Sequence, residues 1–143
     1  MQSDNEKMLQ EIVQNTEMGK NTLDELMGLT YDQKLKDEMM RQKNEYRRLN
    51  QQAHTALDAI GAQAKGQSAA ARMSVSMGIR TRTMLDKSTR NLATMLAEGS
   101  GQGVLDCKRA EKDYPAASPG ARKLCQELGE FQSSAEETWR EFV

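Results

Sequence analysis

The sequence predicts an all-α protein: an antiparallel up-down bundle of four main helices, with residues 1–143 forming one domain. Three observations predict it. The only prolines, Pro115 and Pro119, lie close together, so nothing from Met1 to Tyr114 need lose a helical hydrogen bond. Alanine, leucine, methionine, glutamine, glutamate, lysine and arginine dominate, while valine, isoleucine and aromatics are too scarce to clothe a sheet. Apolar side chains also recur three and four positions apart over long stretches. With 37% hydrophobic and 29% charged residues, the chain can bury a real core and does not have the composition of a disordered one.

The first helix opens at Ser3, Asp4 and Asn5, all N-cap residue types, with Glu6 placing negative charge in the first turn. Its seam is Leu9, Ile12, Thr16, Gly19, Leu23 and Leu26, and Gly28 suits the position after its end. Thr30 or Asp32 caps the second helix. Leu35, Met39, Gln42, Tyr46, Leu49, Ala53, Ala56 and Ile60 alternate spacings of four and three, the strongest periodic signal in the chain. Gly61 stops that helix, and GAQAKGQS connects it to the next.

The third segment is harder to read. MSVSMGI, residues 73–79, alternates like a strand, but a lone strand has no partner here. On a helical wheel with Arg80 at zero, Met73, Met77, Met84, Leu85, Leu92 and Met95 gather between about 20° and 160°. Lys65, Arg72, Arg80, Lys87 and Arg90 gather between about 280° and 360° on the same wheel, with Val75, Ile79 and Arg82 off pattern. This predicts one helix with an apolar face and a basic stripe. GSGQG, residues 99–103, then predicts a break or kink, although a continuous helix would present Gly99 and Gly103 together as a smooth patch for close packing. Helix-forming sequence resumes to Tyr114. Ser118 as N-cap and Pro119 at the first helical position start the last helix, whose stripe is Ala121, Leu124, Leu128, Phe131, Ala135, Trp139 and Phe142.

Several function classes are excluded or disfavoured. A net charge of −1 gives no whole-molecule attraction to nucleic acid. No run of eighteen apolar residues is present, and the first ten residues lack a signal-peptide pattern, so a cytoplasmic protein with reduced cysteines is expected. No phosphate loop, dinucleotide fingerprint or nucleophile elbow occurs, so an enzyme is disfavoured and no cofactor is implied.

Long helices with short connectors, together with the stretch DKSTRNLATMLAEGSGQG, give the chain a resemblance to the ferritin-like four-helix-bundle superfamily, in particular to small helical proteins of bacteria. That resemblance implies architecture alone. Ferritin-like di-iron sites take a glutamate from each of two helices and a Glu-x-x-His pair from each of the others. Here the single histidine, His54, follows Gln51; Glu127 precedes Glu130; and Glu137 precedes Arg140, so the di-iron motif is absent. A carboxylate-rich site from Glu17, Glu45, His54 and Glu130 is outweighed by the reading that these are solvated or core-flanking residues.

Cys107 and Cys125 lie symmetrically about residue 116 in the proline turn, which would set them at one height in a hairpin, as two buried thiols or as a bridged pair. Residues 61–95 carry six basic side chains against Asp86 alone, whereas residues 1–30 carry six acids against two lysines. The bland reading is complementary helices within one bundle or a solvated face, and the sharper one is a docking face for an acidic partner or nucleic acid, the latter disfavoured by the lack of interleaved aromatics. The ten methionines read as core filler, ahead of an adaptable binding groove or a copper site at Met73, Met77 and Met84. The function expected is that of a non-enzymatic bundle acting through protein–protein contacts with a partner or with itself as a homodimer, the alternative being a degenerate ferritin-like metal-binding protein.

Overall fold

A computed structural model describes residues 2–143. They form five helices: α1 (Asp4–Met27), α2 (Gln33–Ala59), α3 (Ala69–Thr83), α4 (Thr89–Asp113) and α5 (Pro119–Arg140), with no strand among the described residues. Every helix starts the same way. Ser3, Asp32, Ser68, Ser88 and Ser118 each accept a hydrogen bond from the backbone N–H three residues on, satisfying a donor the helix itself cannot pair. Thr30 is not the cap of α2; its hydroxyl accepts from the Asp32 N–H and shapes the loop before it.

The seams of α1, α2 and α5 form one core, with Leu9, Leu26, Leu35, Leu49, Leu128 and Trp139 at its centre. Two details differ from the pattern. Leu57 rather than Ile60 closes the α2 seam, because the helix ends at Ala59 and leaves Ile60 exposed in the cap. In α5 the fully seated residue between Leu128 and Ala135 is Gln132, with Phe131 only partly covered.

The fold has five helices rather than four because the third segment is two. Asp86 accepts from the Ser88 N–H at 2.9 Å, and the Asn91 side chain donates to the Arg82 and Asp86 carbonyls, building a tight turn before the Ser88 cap. That turn resets the helical phase, so the wheel drawn across it does not hold. In α3 the buried residues are Ile79 and Thr83, with Val75 half-buried, and these lie off the expected apolar face. Met73, Met77 and Met84, expected as core filler, are exposed, as is Leu85.

Residues 99–103 do not break α4. Each interior glycine costs a helix about 1 kcal/mol, which tertiary packing can override. A side-chain carbon at Gly103 would overlap the amide of Gln132, and one at Gly101 would press on Glu136 at 2.8 Å. Glycine at Gly103 leaves room for the Gln132 amide, which Asn15 and Tyr46 hold in place, whereas the Glu136 carboxylate opposite Gly101 is a flexible end that can swing aside.

Hydrogen bonds at the helix ends fix the chain direction. Asp4 and Asn5, opening α1, accept from the Ala116 and Ser118 N–H groups in the α4–α5 turn. Gln10 bridges the Gln63 carbonyl and the Lys65 N–H just past α2. Asp32, at the start of α2, accepts from Thr89 at the start of α4 with 2.8 Å. Helices α2 and α4 therefore begin at the same end and run parallel, so the four long helices do not by themselves alternate up and down. The chain leaves α2 at one end, and residues 60–88, with α3 among them, carry it back along the bundle before α4 can begin. Helix α3 rests chiefly on α1.

Candidate functional site

Two features stand out from a well-packed bundle: a cavity between α1 and α4, and the outer face of α3.

The cavity holds about 340 Å³. Two of the residues that line it are glycines: at Gly19 the space for a side chain is taken by the Tyr46 ring, and at Gly99 it is open. Tyr46 of α2 and Gln132 of α5 line it, and Leu23, Met95, Leu96 and Trp139 add apolar wall. Exposed Gln14 and Met18 on α1, with exposed Gly99 and Gln102 on α4, form the mouth.

A neutral hydrogen-bond network organises the interior. Gln132 Nε2 donates to Asn15 Oδ1 at 2.8 Å and to the Tyr46 hydroxyl at 3.1 Å. Tyr46 also stacks edge-on against Phe131, with ring centroids 4.9 Å apart. Asn15 Nδ2 reaches only long acceptors, the Gly103 carbonyl at 3.4 Å, Gln132 Oε1 at 3.5 Å and Cys107 Sγ at 3.8 Å. Burial, offset in part by hydrogen bonds from Gln132 and Ser100, pushes the Tyr46 phenol up to about 12.

Cys107 and Cys125 are brought together as their symmetric spacing suggested, both buried and both free. Cys125 Sγ donates to the Cys107 carbonyl at 3.5 Å. The adjoining Cys125 thiol and burial together push the Cys107 thiol well above its ordinary range, so it stays protonated and unreactive at neutral pH. Tyr114 donates to Glu11 at 2.9 Å, and that carboxylate raises its phenol to about 12.

These raised groups predict an alkaline limit. Tyrosine in the unfolded chain loses its proton near 10, whereas the fold holds Tyr46 and Tyr114 protonated to higher pH. Their stabilisation is complete below about pH 8.5 and is lost as pH rises, most steeply between about 10 and 12. Urea midpoints measured across this range should fall accordingly, and Tyr46→Phe should flatten the upper part. A wild-type midpoint unchanged at pH 11.5 would show that the phenol is solvated.

The carboxylates and histidine considered as metal ligands are not gathered. Glu17 accepts from the Gln67 N–H at 3.0 Å and braces the crossover; Glu45 is paired with Arg48; His54 is half-buried on α2; and Glu130 is exposed on α5. Among the described residues, no three His, Cys, Asp or Glu side chains converge.

The five basic residues do not share one helix. Lys65 precedes α3, Arg72 and Arg80 lie on it, Lys87 is in the turn after it, and Arg90 opens α4. All five are exposed, and none takes part in an ion pair among the described residues, unlike Arg82, which meets Glu98 at 2.7 Å. Met73, Met77, Arg80 and Met84 recur along α3 at one-turn and two-turn spacing, so the exposed face is apolar with a cation in its middle.

Sequence reasoning missed Gln132, Asn15 and the cavity. Gln132 had a legible signal: it stands four after Leu128 and three before Ala135, which is seam spacing. The cavity had none, because glycines that border a gap read the same as glycines that end a helix. No helix among the described residues is long and apolar enough to cross a membrane. Compared with protein-family models, curated proteins and solved structures, the chain matches none.

Proposed function

We propose that this chain is a non-enzymatic helical module of the cytoplasm that works through protein–protein contacts, with α3 as its docking element and an acidic amphipathic helix as its partner. One observation carries this reading: Met73 and Met77 on α3 and Met84 at its C-cap are 65%, 61% and 72% exposed, on a helix that the bundle holds from one side. Contiguous exposed apolar side chains mark interaction surfaces, and methionine adapts its shape to a partner's. Arg80 within the stripe and Arg72 and Lys87 near it select for carboxylates flanking the partner's apolar face. No aromatic side chain stands among these cations to stack on bases, which favours protein over nucleic acid.

The test is the double substitution Met73→Asp, Met77→Asp, compared with wild type by cross-linking of partners in cells and by sedimentation of the purified chain. Exposed substitutions of this kind cost the fold about 0.5 kcal/mol or less. An acidic amphipathic partner helix, or self-association if the partner is a second copy, should be lost at least tenfold in the double variant, and Arg80→Glu should weaken it too. Identical cross-links and sedimentation for wild type and double variant would end this reading.

A degenerate ferritin-like protein is the second reading, favoured by a specific observation. One long crossover returning the chain along the bundle between α2 and α4 is the connection that ferritin-like bundles use. Mass spectrometry after ferrous loading and gel filtration decides it: stoichiometric iron retained by wild type and lost in His54→Ala supports it, and iron-free protein removes it.

A further inference from the structure

From the α1–α4 cavity we infer a second binding site, for a neutral, flat, two-ring molecule that carries a carbonyl-type acceptor and an N–H donor. Size sets the first limit. A cavity of about 150 Å³ holds a benzene ring, and this one, at about 340 Å³, has room for roughly twice that. It is also within the usual range of small-molecule sites.

Charge sets the second. Glu11, Asp106 and Arg109 are the only charged residues that line the cavity, and each is engaged: Glu11 with Tyr114, and Asp106 with both Arg109 and Gln102. The deep walls are neutral, so an ion placed there would lose its hydration without a counter-charge. Tyr46 and Trp139, with Met18 and Met95 on the walls, favour an aromatic body through ring stacking and sulfur–ring contacts.

Polar complementarity sets the third. Asn15 Nδ2 makes no close hydrogen bond, its contacts to the Gly103 carbonyl at 3.4 Å, Gln132 Oε1 at 3.5 Å and Cys107 Sγ at 3.8 Å all being long, so a closer ligand acceptor competes well with them. Ser100, which is 5% exposed, lies on the same wall with its hydroxyl turned to Tyr46. Gln42, 2% exposed, gives its amide N–H to Glu38 at 3.0 Å, and its carbonyl oxygen takes no donor from the protein. A ligand carbonyl would seat on Asn15, and a ligand N–H on Gln42.

The sequence offers a reporter and a plug. Trp139 is the only tryptophan and lines the cavity, so its fluorescence reads occupancy. Gly99 stands at its mouth, and a side chain added there meets nothing within 4 Å, so Gly99→Leu crowds the entrance without forcing the helices apart. The probe is 2-quinolinone, a bicyclic lactam, run beside naphthalene and quinoline-2-carboxylate. Quinolinone should change Trp139 fluorescence saturably and raise the melting temperature of the wild type. It should bind at least tenfold more tightly than the carboxylate and several-fold more tightly than naphthalene. Gly99→Leu, with its melting temperature equal to or above that of wild type, should weaken quinolinone at least tenfold, and Gln42→Met should remove its advantage over naphthalene. The inference fails if quinolinone and naphthalene both leave fluorescence and melting unchanged up to their solubility limits. It fails equally if Gly99→Leu binds as wild type does, or if the carboxylate binds best.

Discussion

Trp139→Ala is expected to cost about 3–5 kcal/mol, the largest loss from any single truncation in this chain. The indole is 1% exposed in the last turn of α5, where it meets core residues, lines the cavity and lies 6.2 Å from the Phe142 ring between centroids. Its removal would merge an already open space with a new one, and the neighbouring helices cannot collapse onto both. A domain of this size holds about 5–15 kcal/mol in all, so the variant should melt roughly 10–15 °C lower. Urea unfolding followed by circular dichroism checks this, since the variant has no tryptophan to follow. Trp139→Phe should recover more than half of the loss. A penalty below about 1 kcal/mol would mean that α5 does not end against the core as described.

The second large effect runs against helix propensity. Alanine normally improves on glycine inside a helix by about 0.5–1 kcal/mol, and Gly99→Ala should do so because its side-chain carbon points into open space. Gly19→Ala should instead destabilise by about 1–3 kcal/mol, the usual cost of overpacking. The added carbon would enter the Tyr46 ring. That ring cannot easily yield, because Gln132 holds its hydroxyl at 3.1 Å and Phe131 packs edge-on against it. Parallel denaturation curves should rank Gly99→Ala above wild type and wild type above Gly19→Ala. Equal stabilities for the two alanine variants would show that α1 and α2 are not in this close contact.

Both effects depend on glycines whose meaning the sequence left open. Gly19 sits in the α1 seam and reads as an unremarkable small residue, and the glycines of residues 99–103 read as a break. What decides between a break, a contact and a gap is the side chain opposite, which lies on another helix: Tyr46 for Gly19, Gln132 for Gly103 and nothing for Gly99. The error on the third segment has the same origin. A helical wheel assumes continuous phase, and the Asp86–Ser88–Asn91 hydrogen bonds interrupt it. The methionines therefore face outward while Ile79 packs inward.

By itself the sequence determined the helical class, the faces of α1, α2 and α5, and the cap of α5 at Ser118, and it set Cys107 and Cys125 at about equal height. These follow from local rules: spacing sets which residues share a face, a serine or aspartate oxygen completes a helix start, and a short proline turn returns the chain at equal height. Tertiary structure alone decided that α2 and α4 run parallel, that α3 leans on the bundle with its methionines outward, and that a cavity opens between α1 and α4. Those outcomes depend on long-range partners such as Asp32 with Thr89 and Gln132 with Asn15, 57 and 117 residues apart. No periodicity within one helix encodes which residue of another helix will stand across from it.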